Sequence, residues 1–465
     1  MNESIQLERV LGRAWHDDRP WELLTELTEL PHRMAGSPGE RRAAELVGDS
    51  FRDAGLEEVR LRAFSMPYWE RGETSFAVTK PIERSFDAIS LPYSPSGDLE
   101  GPLVDVGHGT PEEIDAAGDA VQGAIAVAST TTPPGQRFVH RMEKYGYAVD
   151  AGAEAFVFAN HVSGQLPPTG ALSFDGEVPI PGIGVSNETR DWLREYADRD
   201  GSARLEVEAT TIDGSSQNVH GVVKPDRKNA DGEETEAAET NEPTAEILLL
   251  AHYDAHDIAE GALDNGCGIA TALGAASILS ALSTDLECRV RVVAVGCEEV
   301  GLLGAESLAT RTDLESVRAV VNVDGAGRYR NLRAFSHGSE SIEELAERVA
   351  DEFGQPIGHV PEPHPFSDHW PFLRDGVPAL QLHSEPPSGS ERGRGWGHTE
   401  ADTRDKVDSR NLREHAMVTA LLIRELASAR ADIPRVGKEV LLSALEEQHY
   451  ESGMRAANIW PDSWD

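Results

Sequence analysis

The stretch 246–301 constrains this chain more than any other. It opens on an apolar run, Ile247-Leu248-Leu249-Leu250, which ends in Ala251-His252-Tyr253-Asp254. Asp264 follows twelve positions after His252, in Asp264-Asn265-Gly266-Cys267-Gly268. A run of small residues comes next. A second apolar run, over 290–295, then leads into Gly296-Cys297-Glu298-Glu299-Val300-Gly301. Short apolar runs bounded by turn residues read as buried strands, and the small-residue segment between them suits a packed helix. Strand, helix and strand in that order point to an α/β fold. The histidine and the carboxylates stand where strands end, and open α/β sheets bind ligands beyond the carboxyl ends of their strands.

The same placement recurs downstream. A buried strand over 319–323 runs into Asn322-Val323-Asp324-Gly325. Next come a strand over 332–335, a helix over 342–353 and the segment Phe366-Ser367-Asp368-His369-Trp370-Pro371-Phe372. A strand over 379–383 is followed by a loop over 384–397, rich in Gly, Pro and Arg. That loop delivers Gly397-His398-Thr399-Glu400-Ala401-Asp402, and a helix over 412–429 closes the domain. Imidazoles and carboxylates are the ligand set of hydrolytic zinc sites. A lone His-x-Asp is an ordinary polar loop, whereas three clusters at consecutive strand ends point to metal. A carboxylate between two ions bridges them. In a pair such as Glu298-Glu299, one member binds metal while its neighbour, pointing the other way, handles a proton. Cys267 and Cys297 flank these positions and read as small buried thiols. His256 is an additional imidazole near His252 with no assigned role.

The rest of the chain divides by texture. Residues 1–65 form the N-terminal part of the catalytic domain. They hold a helix over 21–30, a turn over 33–38, a helix over 39–54 stopped by Gly55, and a strand over 56–63. This opening reads as scaffold. Residues 66–215 alternate short strands, turns and one helix over 138–151, punctuated by prolines. His108, His140 and His161 are scattered singly there, so the segment reads as an inserted, non-catalytic domain. The catalytic domain resumes over 216–432. Its strand over 218–224 is expected to pair antiparallel with 246–251 across an acidic, mobile loop over 225–243. The tail, 433–465, carries a helix-like piece over 437–447 and exposed Trp460 and Trp464, suited to packing or self-association.

At 465 residues the chain is long enough for two or three domains. Its 81 acidic against 42 basic residues give a net charge of −39, which argues against nucleic acid and anionic membrane as partners. Such a surface suits very high salt, where self-repulsion is screened. No run approaches the ~18 consecutive apolar residues of a membrane span. The N-terminus shows no signal-peptide pattern, and three cysteines form no disulfide frame, so a reducing cytoplasm is the expected compartment. Nothing in the sequence sets the oligomeric state.

Taken in order, His-x-Asp, Asp-Asn-x-x-Gly, Glu-Glu-x-Gly, Asn-x-Asp, Ser-Asp-His and His-Thr before an Asp resemble metallopeptidase family 28. These are co-catalytic di-zinc exopeptidases that include leucine-type aminopeptidases and plasma glutamate carboxypeptidase. The resemblance covers 20–65 and about 216–430, while 66–215 resembles the protease-associated domain that many members carry. It implies a mixed, mostly parallel sheet sandwiched by helices, with a smaller α/β or β-rich insert, acting on peptides. It further implies two Zn2+ per chain, one on His252 and Asp324, the other on Glu299 and His398, with Asp264 bridging. Asp254 would orient His252, Glu298 would be the general base, and Ser367 would lie near the reacting oxygen. A cis peptide is implied at Asp264-Asn265. The chain departs from the pattern at Gly325, where many members have Met. It departs again at Gly397, where one branch has a Tyr that would donate to an oxyanion. The favoured activity is an aminopeptidase. Its alternatives are a carboxypeptidase or dipeptidase of the same family, a related di-zinc deacylase, a single-zinc aminoacyl cyclase and a non-catalytic receptor-like relative. Arg328, Arg330, Arg392 and Arg394 are the guanidinium groups able to hold a substrate carboxylate in the carboxypeptidase alternative.

Overall fold

The computed structural model describes residues 3–174, 176–226, 245–385, 396–428 and 431–464. Chain order begins with helices α1 (Glu3–Ala14), α2 (Arg19–Thr28) and α3 (Pro38–Asp53), then strand β1 (Glu57–Lys80). An inserted unit follows: β2 (Arg84–Phe86), β3 (Ala88–Ser90), β4 (Gly97–Asp105), α4 (Pro111–Ala117), β5 (Ile125–Ser129), α5 (Arg141–Asp150), β6 (Ala155–Ala159), β7 (Gly182–Val185) and α6 (Asn187–Ala197). The chain returns along β8 (Ser202–Val223). It then builds β9 (Glu246–His252), α7 (Cys267–Ala281), β10 (Arg289–Val295), α8 (Leu303–Thr310), β11 (Val317–Val323), β12 (Asn331–Phe335) and α9 (Glu340–Phe353). Last come β13 (Ile357–Val360), α10 (Trp370–Leu373), β14 (Ala379–Glu385), α11 (Ser409–Leu426), α12 (Lys438–Glu447) and α13 (Glu451–Ala456).

The catalytic sheet runs β13-β12-β14-β11-β9-β10-β8, with β9, β10, β11 and β14 mutually parallel at its centre. The apolar run of β9 has a direct cause. Ile247, Leu249 and Ala251 pack against one layer with Leu23, Phe51, Ile269 and Leu422. Leu248 and Leu250 face the other layer with Leu308, Trp370 and Leu445. Both faces of a central parallel strand are covered, so no position along it is free to be polar. Each buried Leu or Ile here contributes about 1.5–3 kcal/mol. The one described helical stretch apolar and long enough to cross a bilayer, Ala262–Ala281, is 94% buried in this core.

Two expectations are corrected. β8 does not pair with β9, because β10 lies between them, antiparallel to β8 and parallel to β9. A strand buried on both faces takes its neighbours from βαβ crossovers, and the crossover through α7 sets β10 beside β9. The expected loop over 225–243 lies almost wholly outside the described residues. Trp460 and Trp464 are half-buried, not exposed. They stack edge to face 5.4 Å apart, and Trp464 meets Trp370 at 5.7 Å. The Trp370 indole donates to the carbonyl of Ile459 at 2.9 Å, so the tail is a packed part of the catalytic domain.

The insert has its own parallel sheet, β4-β5-β6-β7, with β3 antiparallel at its edge. β1 and β8 form one long antiparallel ribbon that runs through both sheets. The expected boundaries fall inside this ribbon, at the paired positions Ser65–Ser215 and Met66–Gly214. Met34, Trp69, Tyr93 and Met142 join the same apolar cluster as Trp370 and Val295. Insert and catalytic domain therefore share one core beside the carboxyl ends of the central strands.

Candidate metal centre

Each strand end delivers one part of the site. β9 ends on His252, and the turn after it carries Asp254 and His256, all buried. The turn before α7 carries Asp264, β10 leads to Glu298 and Glu299, and β11 leads to Asp324. His398 arrives on a loop, with φ +59°. Two groups result, His252 with Asp264 and Asp324, and His256 with Glu299 and His398. Within each group the candidate ligand atoms lie within 4.8 Å of one another. Asp264 stands between the groups. Its Oδ1 is 3.5 Å from His252 Nε2 and its Oδ2 is 3.4 Å from His398 Nε2. Glu299 Oε2 is 3.1 Å from His398 Nε2. His252 Nε2, His256 Nε2, His398 Nε2 and Glu299 Oε1 are buried without a hydrogen-bond partner among the described residues. Buried imidazole and carboxylate atoms left unpaired and converging in this way fit divalent zinc.

Backbone and side chains behind the ligands explain the sequence motifs. Asp254 Oδ1 lies 3.4 Å from His252 Nδ1, and the same carboxylate accepts from the backbone N–H of Glu298 and of Glu299 at 3.1 and 3.2 Å. One aspartate thus orients both a histidine and the glutamate pair. The Asp264-Asn265 peptide is cis. Asn265 donates to the carbonyl of Val323 at 2.8 Å and accepts from the N–H of Gly325 at 3.2 Å, tying this turn to the Asp324 turn. A Cβ on Gly268 would lie 2.1 Å from Asn265 Oδ1, so the glycine of Asp-Asn-x-x-Gly makes room for that asparagine. Asp402 accepts from the N–H of Leu263 and of Asp264 at 2.6 and 3.0 Å.

Ser367 is tied to one of the candidate ligands. It is fully buried, donates to Asp324 Oδ2 at 2.8 Å and accepts from Asn322 Nδ2 at 2.8 Å. It braces the Asp324 carboxylate from the protein interior. His369 accepts from Asn322 and donates to the carbonyl of His364. Both carboxyl oxygens of Asp368 are buried without a hydrogen-bond partner among the described residues, and burial pushes its carboxyl well above the usual range.

The charges divide the glutamate pair. Burial drives Glu298 well above the ordinary carboxylate range, helped by Asp324, Asp368 and Glu299 and opposed by His252. Burial pulls Glu299 upward too, but His256 and His398 overcome it and hold Glu299 well below that range. The two neighbouring glutamates are thus shifted in opposite directions, a division that suits one as proton carrier and the other as ligand.

Several functional neighbours left no signal in the sequence. Arg33, in the segment read as scaffold, is fully buried and donates to the carbonyls of Tyr253, Leu27, Glu260 and Gly261, fixing the turn that carries His256. Arg328 is not a free substrate clamp, since it bonds Asp264 Oδ1 at 2.9 Å and the carbonyl of Leu263. Arg392 and Arg394 lie outside the described residues. The departure at Gly325 has a neighbour that accounts for it. His383 donates to the Asp324 carbonyl at 3.0 Å, and a Cβ on Gly325, where φ is +89°, would come within 2.3 Å of His383 Nδ1.

A cavity of about 490 Å³ opens over Asp264, Glu298, Asp324 and His398. Its far wall comes from the insert and includes Thr130, Phe138, His140, Arg141, Phe158 and Thr169. His140 and His161, read as ordinary residues, line this wall, and His140 stacks on Phe366 at 4.6 Å. The insert also touches a candidate ligand. His398 Nδ1 donates to the carbonyl of Thr169 at 3.2 Å, and Thr169 N–H donates to the His398 carbonyl at 2.9 Å.

A mixed α/β sheet with two histidine–carboxylate groups sharing one aspartate at its strand ends has the make-up of a metal-dependent hydrolase. Residues 235–423 match Peptidase family M28 and residues 99–193 match the PA domain. The chain belongs to peptidase family M28 and carries a PA domain within it. It is 27% identical to aminopeptidase YwaD of Bacillus subtilis over 408 residues, covering 85% of this chain and 82% of that protein. Against carboxypeptidase Q of Bos taurus it is 25% identical over 446 residues, covering 93% and 90%. The fold matches the zinc aminopeptidase BSAP of Bacillus subtilis at a TM-score of 0.70 and 23% identity, covering 90% of this chain and 97% of that one. A peptidase M28 precursor from Shewanella amazonensis matches at 0.76 and 22%, covering 93% and 98%.

Proposed function

We propose that this M28 peptidase is a di-zinc aminopeptidase that releases N-terminal residues from peptides. The observation that carries the two-zinc reading is Asp264, whose two oxygens face separate histidine–carboxylate groups. Two zinc ions there would supply Lewis acidity at the scissile carbonyl and a nucleophile from water at neutral pH. The chain's own residues do the rest. Glu298, at the cavity floor, takes the proton from the attacking water. As the C–N bond breaks, it returns that proton to the leaving amine. Asp254 keeps His252 and both glutamates in register, and Ser367 keeps Asp324 in place.

The choice of the N-terminal end rests on charge. Of the carboxylates at the cavity floor, Asp264 and Asp324 face the metal positions, which leaves that of Glu298 to meet a substrate ammonium. Arg328, the guanidinium beside them, is already engaged by the protein. One observation favours a carboxypeptidase or dipeptidase instead. Arg141 lines the same cavity from the insert, with its Nε donating to the carbonyl of Ala171. Zinc-loaded enzyme in high salt, given Leu-p-nitroanilide and an N-blocked dipeptide, decides between them. Release of p-nitroaniline alone is expected. Hydrolysis of the blocked dipeptide alone would make Arg141 a carboxylate clamp and reverse the assignment.

The net charge of −39 supports a salt-adapted setting. The screening length shrinks from about 10 Å at 0.1 M salt to about 3 Å at 1 M. The melting midpoint is therefore expected to climb with salt, and a midpoint independent of salt contradicts this setting.

A further inference from the structure

The two metal groups are not equivalent, and His256 is the reason. Its ring is 5% exposed, and neither nitrogen has a hydrogen-bond partner among the described residues. Nε2 lies 3.0 Å from Glu299 Oε2, yet the pair is not aligned as a hydrogen bond. The ring stands edge-on to His398, with centroids 4.6 Å apart and planes at 85°. Both rings bring Nε2 close to one oxygen, Glu299 Oε2, at 3.0 Å from His256 and 3.1 Å from His398. The turn that carries His256 is held from both sides. Arg33 fixes the carbonyls of Tyr253, Glu260 and Gly261, and Arg71 from β1 grips the adjacent Asp257 through two bonds of 2.8 and 2.7 Å.

The spacings bear on coordination. Donors bound tetrahedrally at 2.0–2.1 Å from one zinc lie about 3.3 Å apart. Around Glu299 and His398 the observed separations are 3.0, 3.1 and 3.4 Å, the last to Asp264 Oδ2. Around His252 they are wider, 3.5 Å to Asp264 Oδ1 and 3.9 Å to Asp324 Oδ1. We propose that His256 is a protein ligand of the Glu299–His398 metal position. With Asp264 Oδ2 it brings four protein donors to that position, while the His252–Asp324 position keeps three. A four-donor tetrahedral set is the closed arrangement of structural zinc sites, and a three-donor set leaves one place open. The Glu299–His398 position is therefore the slow-exchanging one, and the exchangeable place belongs to the His252–Asp324 position. This inference rests on the di-zinc reading above.

The test measures zinc loss from the full-length, zinc-loaded chain to a chromophoric chelator in high salt, with total zinc counted by mass spectrometry. The wild type is expected to release two zinc ions in two phases. In His256→Phe and His256→Gln the slow phase should accelerate by about 100-fold, since even outer-sphere partners carry 10–100-fold in affinity. Cobalt substitution gives a second readout. The wild type should show one intense tetrahedral-type visible band, which is lost in His256→Gln. Melting curves in excess chelator show whether each variant still folds. If His256→Phe fails to fold, His256→Gln and the wild-type cobalt spectrum still decide. An unchanged slow phase in a folded variant, or a wild type without the tetrahedral band, overturns the inference while leaving two zinc ions and turnover intact. A wild type that binds no zinc and cleaves neither substrate overturns the di-zinc reading as well.

Discussion

The two candidate metal-binding groups are built by different means. His252, Asp264 and Asp324 stand where β9, the turn before α7 and β11 end, and Asp254, Asn265 and Ser367 brace them from within the catalytic domain. His256 and His398 sit on loops. One loop is pinned by Arg33 and by Arg71 of the long ribbon, and the other is hydrogen-bonded to Thr169 of the insert. Glu299 belongs to both arrangements, since its backbone is held by Asp254 and its carboxylate faces the loop histidines. A half built on strand ends inherits the rigidity of the sheet. A half built on loops takes its geometry from another part of the chain, and so becomes sensitive to it.

The largest effect is expected where the halves meet. Glu298→Gln should lower kcat by about 10²–10⁴ while keeping both zinc ions and the melting midpoint. Its amide carries no proton between water and amine, and Glu299 still binds. Normal turnover would remove Glu298 from the reaction. Next comes the strand-end half. Ser367→Ala takes away the hydroxyl on Asp324, and a loss of about 10–100-fold in affinity is expected for the fast-exchanging zinc only. Acceleration of the slow zinc in that variant would erase the distinction between the halves. A smaller change is expected in the loop half. Arg71→Met leaves Asp257 unpaired and loosens the His256 turn, so the slow zinc should leave a few-fold faster, with kcat/KM for Leu-p-nitroanilide moving less. An Arg71→Lys variant that matches the wild type would show that charge alone, not the two-point grip, holds the turn.

The smallest effect concerns the insert alone. Lys144 on α5 is buried and donates to the carbonyls of Ser129 and Thr131, beneath the loop on the cavity wall. Burial pulls its ammonium down to about 7, against 10.5 in the open chain. Between pH 7 and 10.5 the unfolded chain therefore holds the proton that the folded chain lacks, so stability gained through this group rises with pH across that window. Lys144→Met should flatten that slope in urea unfolding at pH 7 and pH 9. A slope unchanged by the substitution would put the pH dependence elsewhere.

Much of this was legible in the sequence because it is local. The run Ile247-Leu248-Leu249-Leu250 announces a strand covered on both faces, and the residues that follow such strands fall by geometry at the ligand-binding edge of the sheet. The spacing of Asp264, Asn265 and Gly268 is local too, since Asn265 needs the space that Gly268 leaves. What escaped the sequence is long-range. β10 enters between β8 and β9 because crossover handedness, not proximity in the chain, orders a parallel sheet. Ser367 meets Asp324 across 43 positions, a contact that no periodicity encodes. Arg33 reaches a turn more than two hundred residues away, and a PA-domain carbonyl orients His398 across 229 positions. The sequence by itself determined which chemistry the strand ends carry, because side-chain period and burial are written residue by residue. The tertiary structure alone decided which imidazoles converge and what holds them, because a carbonyl or guanidinium contributed from a distant segment leaves no pattern near the residue it positions.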